Sequence, residues 1–148
     1  MAAPRKTLNL VSLNAGRKCG SPEAVAALVH HYELQLSQYW DVICLKESDG
    51  VHEMGKVHDK LTEDVNTVLG RHKYVRNYAG EGTTAMAFII NARIVPYIRE
   101  IKWCERAGSL LIQSGSSQPV QIMMLHGYQH DMAEDLSLIH ISEPTRPY

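Results

Sequence analysis

Asp41-Val42-Ile43-Cys44-Leu45-Lys46-Glu47 is an apolar run closed at each end by a carboxylate, and its reading decides the fold. Four consecutive apolar residues are too few for a buried helix. The run predicts a short, compact apolar strand that ends at Glu47. Upstream, Thr7-Leu8-Asn9-Leu10-Val11-Ser12-Leu13-Asn14 carries apolar residues on both alternating sets and stops at Asn14-Ala15-Gly16, a second short strand ending in a turn. Between the two, Ser21 can cap a helix and Pro22 suits its first turn. Val25, Leu28, Val29, Tyr32, Leu36 and Tyr39 then recur at helical spacing as one apolar face. Strand, helix, strand in that order predicts a crossover unit with parallel strands and a helix packed on the sheet.

Downstream of Glu47 comes a polar loop containing Gly and His, and then Leu61, Val65, Val68 and Leu69 mark a second amphipathic helix that Gly70 can terminate. Lys73 to Tyr78 reads as a weaker strand. Gly80-Glu81-Gly82 is a turn signal, and Thr84 to Asn91 follows as a strand with Met86, Phe88 and Ile90 on one face and further apolar residues on the other. Leu110-Leu111-Ile112, the turn-rich Ser114-Gly115-Ser116-Ser117-Gln118-Pro119, and Val120 to Leu125 predict a hairpin. The fold class expected is α/β in the broad sense, of the α+β kind, with a largely antiparallel mixed sheet and helices on one face.

The chain has 148 residues, 45% of them hydrophobic, which suits one core and sets one domain, or a piece of one, as the ceiling. A formal net charge of -1 provides no global cationic field to hold a polyanion, so a nucleic acid or phosphoester would need local groups or a metal. Three cysteines, Cys19, Cys44 and Cys104, without C-x-x-C spacing, indicate neither a disulfide framework nor a zinc knuckle. A reducing, intracellular compartment, cytoplasmic or nuclear, fits that usage. Leu8 to Leu13 is too short for a signal peptide or a spanning helix, so no membrane partner is expected.

Leu136-Ser137-Leu138-Ile139-His140-Ile141-Ser142-Glu143-Pro144-Thr145-Arg146 reads as the translation of a transposase-end adapter used in sequencing libraries. Residues 136–148 are therefore treated as a non-native tail, residues 1–7 as an N-terminal tail, and residues 8–135 as the globular part.

Asn14, Glu47 and Tyr128 each stand where an apolar strand gives way to polar residues, the edge where such folds gather their sites. A carboxylate leaving a buried strand faces water, caps the following turn or binds a cation; solvation is the commonest of these outcomes. His126 and His130, four apart, and His52 and His58, six apart, have no third ligand near in sequence and read as incidental surface histidines. His30 is expected on the solvent side of the first helix. Cys44, within an apolar strand, reads as an inert core thiol.

Taken together, Val11-Ser12-Leu13-Asn14-Ala15-Gly16, the helix, and Asp41 to Glu47 resemble the opening of the endonuclease/exonuclease/phosphatase family, also called DNase I-like. There a strand ends in a Trp-Asn or similar pair and the next reads Asp-Ile-Ile-Cys-Leu-Gln-Glu. The resemblance continues through Gly80 to Asn91, similar to a Gly-rich turn and Gly-Val-Ala-Phe-type strand. It continues again at Leu125-His126-Gly127-Tyr128-Gln129-His130-Asp131, which is similar to Val-Asn-Val-Tyr-Ala-Pro-Asn. Departures are Leu13 for Trp, Lys46 for Gln and His130 for Pro; Lys46 puts a cation beside the presumed ligand.

The resemblance implies a four-layer αββα sandwich, present here in part, and metal-assisted hydrolysis of a phosphoester, with DNA or RNA among the substrates. It makes Glu47 the ligand of Mg²⁺ or Mn²⁺, a hard cation that keeps several waters and takes one or two carboxylates. By the same likeness Asn14 hydrogen-bonds within the site, Tyr128 donates its hydroxyl to a phosphate oxygen, and Asp131 occupies the place of a substrate-proximal Asn. The one Asp-x-Asn spacing, Asp64-Val65-Asn66, falls within the second predicted helix and not at a strand end, so the family's motif cannot be placed, and no Asp-His follows the last hairpin strand. The expectation is therefore the first part of such a domain, inactive by itself, with a retroelement-type endonuclease as a plausible parent. The competing expectation is a degenerate, non-catalytic domain of the same fold with a structural or binding role.

Overall fold

The structure is a computed structural model that describes residues 7–35, 40–51, 59–77, 85–104 and 106–125. Strand β1 (Leu10–Asn14) is followed by helix α1 (Pro22–Gln35) and strand β2 (Val42–Lys46). β1 and β2 pair in parallel, Leu10 opposite Val42 and Asn14 opposite Lys46. That is the crossover unit read from the sequence, and α1 begins where expected, with the Ser21 hydroxyl accepting the Ala24 N–H at 3.2 Å. Val25 and Val29 are buried, with Leu28 and Tyr32 packed against the same cluster.

Helix α2 (Lys60–Leu69) starts at Asp59, whose carboxylate accepts the Thr62 N–H at 3.1 Å. It stops at Gly70, where φ is 69° and the N–H donates to the Asn66 carbonyl. Leu61 and Val65 are buried. Val68, expected on that apolar face, is instead 53% exposed. At about 100° per residue it lies roughly 60° around the helix from Val65, at the rim of a stripe that Leu61, Val65 and Leu69 centre on Val65.

Strand β3 (Lys73–Arg76) and strand β4 (Ala87–Ile90) are antiparallel, and β4 also runs antiparallel to β2. The first sheet therefore has the order β1-β2-β4-β3. A single turn of 3₁₀ helix, Val95–Tyr97, leads into β5 (Ile98–Cys104), β6 (Ala107–Ile112) and β7 (Val120–Leu125), an antiparallel sheet in the order β5-β6-β7. β6 and β7 form the hairpin expected from the turn residues between them. β5 was not anticipated: Arg99, Glu100 and Lys102 interrupt its apolar pattern, and a register shift between Ile98 and Glu100 breaks the alternation.

The first sheet is covered on both faces, which is why β2 and β4 are almost continuously apolar. On one side Ile43, Leu45, Tyr74, Ala87 and Ile89 meet the helices through Val25, Val29, Leu61 and Val65. On the other, Val42, Cys44, Phe88 and Ile90 meet Leu110, Ile112, Ile122 and Met124 of the second sheet. Met86, Phe88 and Ile90 do share one face as expected, and Phe88 stacks on Trp103 of β5 with ring centroids 5.2 Å apart. Three layers result, helices on sheet on sheet, and the fold is of the α+β class with both helices on one face.

Two buried ionic clusters tie the loops to this frame. Asp41, fully buried just before β2, accepts the Asn9 N–H at 2.7 Å and the Arg93 Nε at 3.1 Å, which joins the start of β1 to the turn after β4. Arg76, at the end of β3, reaches Asp49 through Nη1 at 2.6 Å and Asp59 through Nη2 at 2.7 Å. It thereby pins both ends of the loop that links β2 to α2.

Candidate functional site

Parallel pairing brings the carboxyl ends of β1 and β2 to the same edge, so Asn14 and Glu47 arrive there together although 33 residues separate them in the chain. The two strands keep pairing past their last ladder rungs. The Ala15 N–H donates to the Lys46 carbonyl at 2.8 Å, the Arg17 N–H to the Glu47 carbonyl at 2.7 Å, and the Cys19 N–H to the Ser48 carbonyl at 2.8 Å. Asn14 and Lys46 are register partners on one face. Glu47, the next residue, departs from strand geometry.

Its φ is 50°, a left-handed backbone that a Cβ disfavours, and Arg17, to which it is hydrogen-bonded, has a φ of 64°. These are the two non-glycine residues with positive φ among the described residues, and they face each other at one edge. Such backbone persists only where its surroundings enforce it. The enforcement is visible: Leu45 is fully buried before the turn, and Ser48 is fully buried after it. Ser48 donates from its backbone N–H to the Ala85 carbonyl at 2.8 Å, and from its hydroxyl to Ala85 at 3.1 Å and to Asp49 at 3.1 Å. Glu47 is thus a half-exposed carboxylate on an immobilised turn, re-aimed relative to the strand that precedes it.

Asn14 is exposed, and its side-chain oxygen accepts the Gly16 N–H at 3.0 Å, an Asx turn that shapes the loop after β1. The Arg17 and Lys18 N–H groups donate to the Glu47 and Ala15 carbonyls, so the loop's amides are engaged internally and do not form an anion-binding nest. What the edge offers an anion is side chains: Lys46, Arg17 and Lys18 stand close in the chain or in register to Glu47, with Arg17 and Lys18 exposed. Tyr128 and Asp131 lie outside the described residues, as do His52, His58, His126 and His130.

Sequence reasoning passed over Asp49, two residues beyond Glu47 and 1% exposed. It is not available to a ligand, because Arg76, the Ser48 hydroxyl and the Val51 N–H, at 2.9 Å, already engage its carboxylate. Burial by itself would lower the Arg76 pKa, but the hydrogen bonds it donates to Asp59 and the charge of Asp49 outweigh it, so the guanidinium is held firmly protonated. For Asp59, burial acts to raise the carboxyl, and the hydrogen bonds from Arg76 and Thr62 together hold it below its ordinary range. Cys19, buried beneath the same edge, is pushed up by burial and by the Asp49 charge. Cys44 is pushed up to about 11 by burial, as befits a core thiol.

Among the described residues no group of three or more His, Cys, Asp and Glu side chains is placed to enclose a metal. The donor set at the edge is one carboxylate, Glu47, flanked by cations. That set suits a largely hydrated hard ion that takes one protein carboxylate and shares a phosphate, and does not suit a dehydrated or thiophilic one. Two clefts among the described residues lie at the opposite edge, one of them lined by Leu8, Asp41, Arg93, Tyr97 and Ile112, and they include neither Asn14 nor Glu47.

No family model, curated protein sequence or solved structure matches the chain significantly. No described helix is long and apolar enough to cross a membrane.

Proposed function

We propose that the carboxyl edge of β1 and β2 is part of a metal-assisted phosphoester hydrolase site of the endonuclease/exonuclease/phosphatase type. The reading rests on one observation: the carboxylate at the end of the buried strand, Glu47, sits on a left-handed turn locked to a second left-handed residue, Arg17. Backbone kept in a costly conformation gathers where a side chain must be aimed. In this reading Glu47 supplies one oxygen ligand to Mg²⁺ or Mn²⁺, and the ion, when bound, offsets charge that grows on the phosphoryl oxygens.

The chain's own residues do the rest. Lys46, Arg17 and Lys18 raise the local concentration of a phosphate anion at an edge whose protein as a whole is close to neutral. Asn14 holds the loop that carries Arg17, through its bond to the Gly16 N–H. Tyr128 and Asp131 would add a phenol and a carboxylate near the substrate, which is a phosphodiester such as DNA or RNA. The one Asp-x-Asn spacing, Asp64-Val65-Asn66, lies within α2 with the Asn66 amide bound to the Tyr74 backbone, and no Asp-His follows the last hairpin strand, so the expected behaviour of this chain is binding without turnover.

A second reading has an observation of its own: Lys46, Arg17 and Lys18 neighbour the single carboxylate of Glu47 in the chain or across the β1–β2 pairing. A non-catalytic domain that binds phosphate without metal would have that balance. Water-proton relaxation of Mn²⁺ titrated with the full chain separates the two. The hydrolase reading expects a bound Mn²⁺ weakened by at least about tenfold in Glu47→Gln, and short single-stranded DNA that binds more tightly when Mg²⁺ is present. Equal Mn²⁺ behaviour of the two proteins, with DNA binding indifferent to metal, would replace it with the second reading.

A further inference from the structure

His72 stands at a corner between the carboxyl end of α2 and the start of β3. The Ala92 N–H, in the turn after β4, donates to its Nδ1 at 3.0 Å. A backbone N–H has only a hydrogen to give, so Nδ1 carries a lone pair and the ring proton is on Nε2. Nε2 in turn donates to Glu33 of α1 at 3.1 Å, and the ring packs on Trp40 with centroids 5.0 Å apart. The ring also lines a cleft of about 550 Å³ together with Arg71, Ala92, Arg93 and Pro96. That cleft opens where β4 ends beside the starts of β2 and β3, the edge opposite Glu47, so what binds there is independent of the proposed hydrolase site.

We infer that this cleft is an acid-dependent site for a single tetrahedral oxyanion, such as inorganic phosphate or sulfate, held between the Ala92 N–H and a protonated His72. When Nδ1 takes a proton, the acceptor of the Ala92 N–H becomes a donor, and two hydrogens meet across a gap of 3.0 Å. The contact opens, and two donors are left aimed at one spot, where an oxygen between them restores both bonds. Arg71 and Arg93 line the same cleft, which favours a charged oxygen over a water. From α1 the ring faces Glu33, which keeps its place on Nε2 in either state, with His30 one turn earlier on that helix. Lys73 flanks it at the start of β3, and Asp41, fully buried behind Arg93, is not part of the cleft lining. The cations converge on one point and form no stripe, which fits one oxyanion and not a run of phosphates.

Sulfate titrated into the full chain at about pH 5 and about pH 8 tests the inference, since sulfate keeps its charge across the range in which imidazole changes its own. Trp40 fluorescence is the readout, because Trp40 packs on His72 while the other tryptophan, Trp103, stacks on Phe88 in a different layer. Saturable binding at the lower pH, at least about tenfold weaker at the higher, is expected. His72→Asn offers the Ala92 N–H an acceptor near the place of Nδ1 but cannot take the proton, so it loses the pH-dependent part. Two further measurements decide the matter even if that variant fails to fold. Sulfate shifts the ring nitrogen resonances of His72 in the unaltered chain at the lower pH, and Arg71→Gln, at an exposed position, weakens binding there. Sulfate binding that is equal at both pH values, or unchanged in a folded His72→Asn, overturns the inference. So does an acid-induced change at His72 that sulfate does not alter, which puts water or a carboxylate of the chain itself against the two donors. Short oligothymidylate binding far more tightly than sulfate, with the same pH dependence, overturns the assignment to a single oxyanion.

Discussion

Replacing Arg76 by Met removes a cation that bridges two carboxylates where water hardly reaches: the Arg76 and Asp49 side chains are each 1% exposed, and Asp59 is 16%. Breaking a buried pair from one side costs about 3–5 kcal/mol, since the remaining charge is left in a poor solvent. The low end applies here. Asp49 keeps the Ser48 hydroxyl and the Val51 N–H, and Asp59 keeps both groups of Thr62, so neither carboxylate is wholly abandoned. A loss of about 3 kcal/mol follows, against a total of about 5–15 kcal/mol for a domain. Urea unfolding followed by tryptophan fluorescence reads it, because Trp40 is buried in the core. Arg76→Lys, which cannot bridge with a planar fork, falls between. Adding Asp49→Asn to Arg76→Met removes the stranded charge and recovers at least about 1 kcal/mol. A single-variant loss below about 1 kcal/mol, with no recovery in the double variant, would mean that these carboxylates are hydrated and that the bridge does not hold the loop.

A Cβ at Gly108 would overlap the Trp103 ring, which is stacked on Phe88, so Gly108→Ala should lose about 1–3 kcal/mol in the same urea assay. Of the three cysteines, Cys104 is exposed while Cys19 and Cys44 are buried with raised pKa values. One thiol should therefore react quickly with Ellman's reagent at pH 8 and the other two only on unfolding; a second fast thiol in the native protein would contradict the packing. The Asp59 carboxyl is depressed in the folded state, so its contribution is present above the unfolded pKa of about 4 and is lost as pH falls through the lower folded value. Urea midpoints measured downward from pH 6 should drop below about pH 4, less steeply in Asp59→Asn, which carries no such linkage.

Local signals were enough for much of this. The apolar run at Val42 to Leu45, the capped periodic helix before it and the turn-rich hairpin near Ser114 to Pro119 each announce their element, because each rests on contacts close in sequence or on a simple period. They also foretold the parallel pair, since a helix between two buried strands leaves few other arrangements, and with it the meeting of Asn14 and Glu47 at one edge. β5 stayed hidden because its bulge and charges erase the alternation that would reveal it.

Which strand lies beside which was a tertiary decision. The order β1-β2-β4-β3 places β4 between two strands that precede it in the chain, and only the covering of both its faces by helices and by the second sheet selects that position. The left-handed turn at Glu47 likewise has no local signature, since nothing in Lys46-Glu47-Ser48 asks for it. It is imposed by Ser48 bonding to Ala85 and by Arg76 gripping Asp49, partners 37 and 27 residues away. Residue order could name a carboxylate at the end of a strand; the direction in which it points was set by long-range hydrogen bonds that no local pattern encodes.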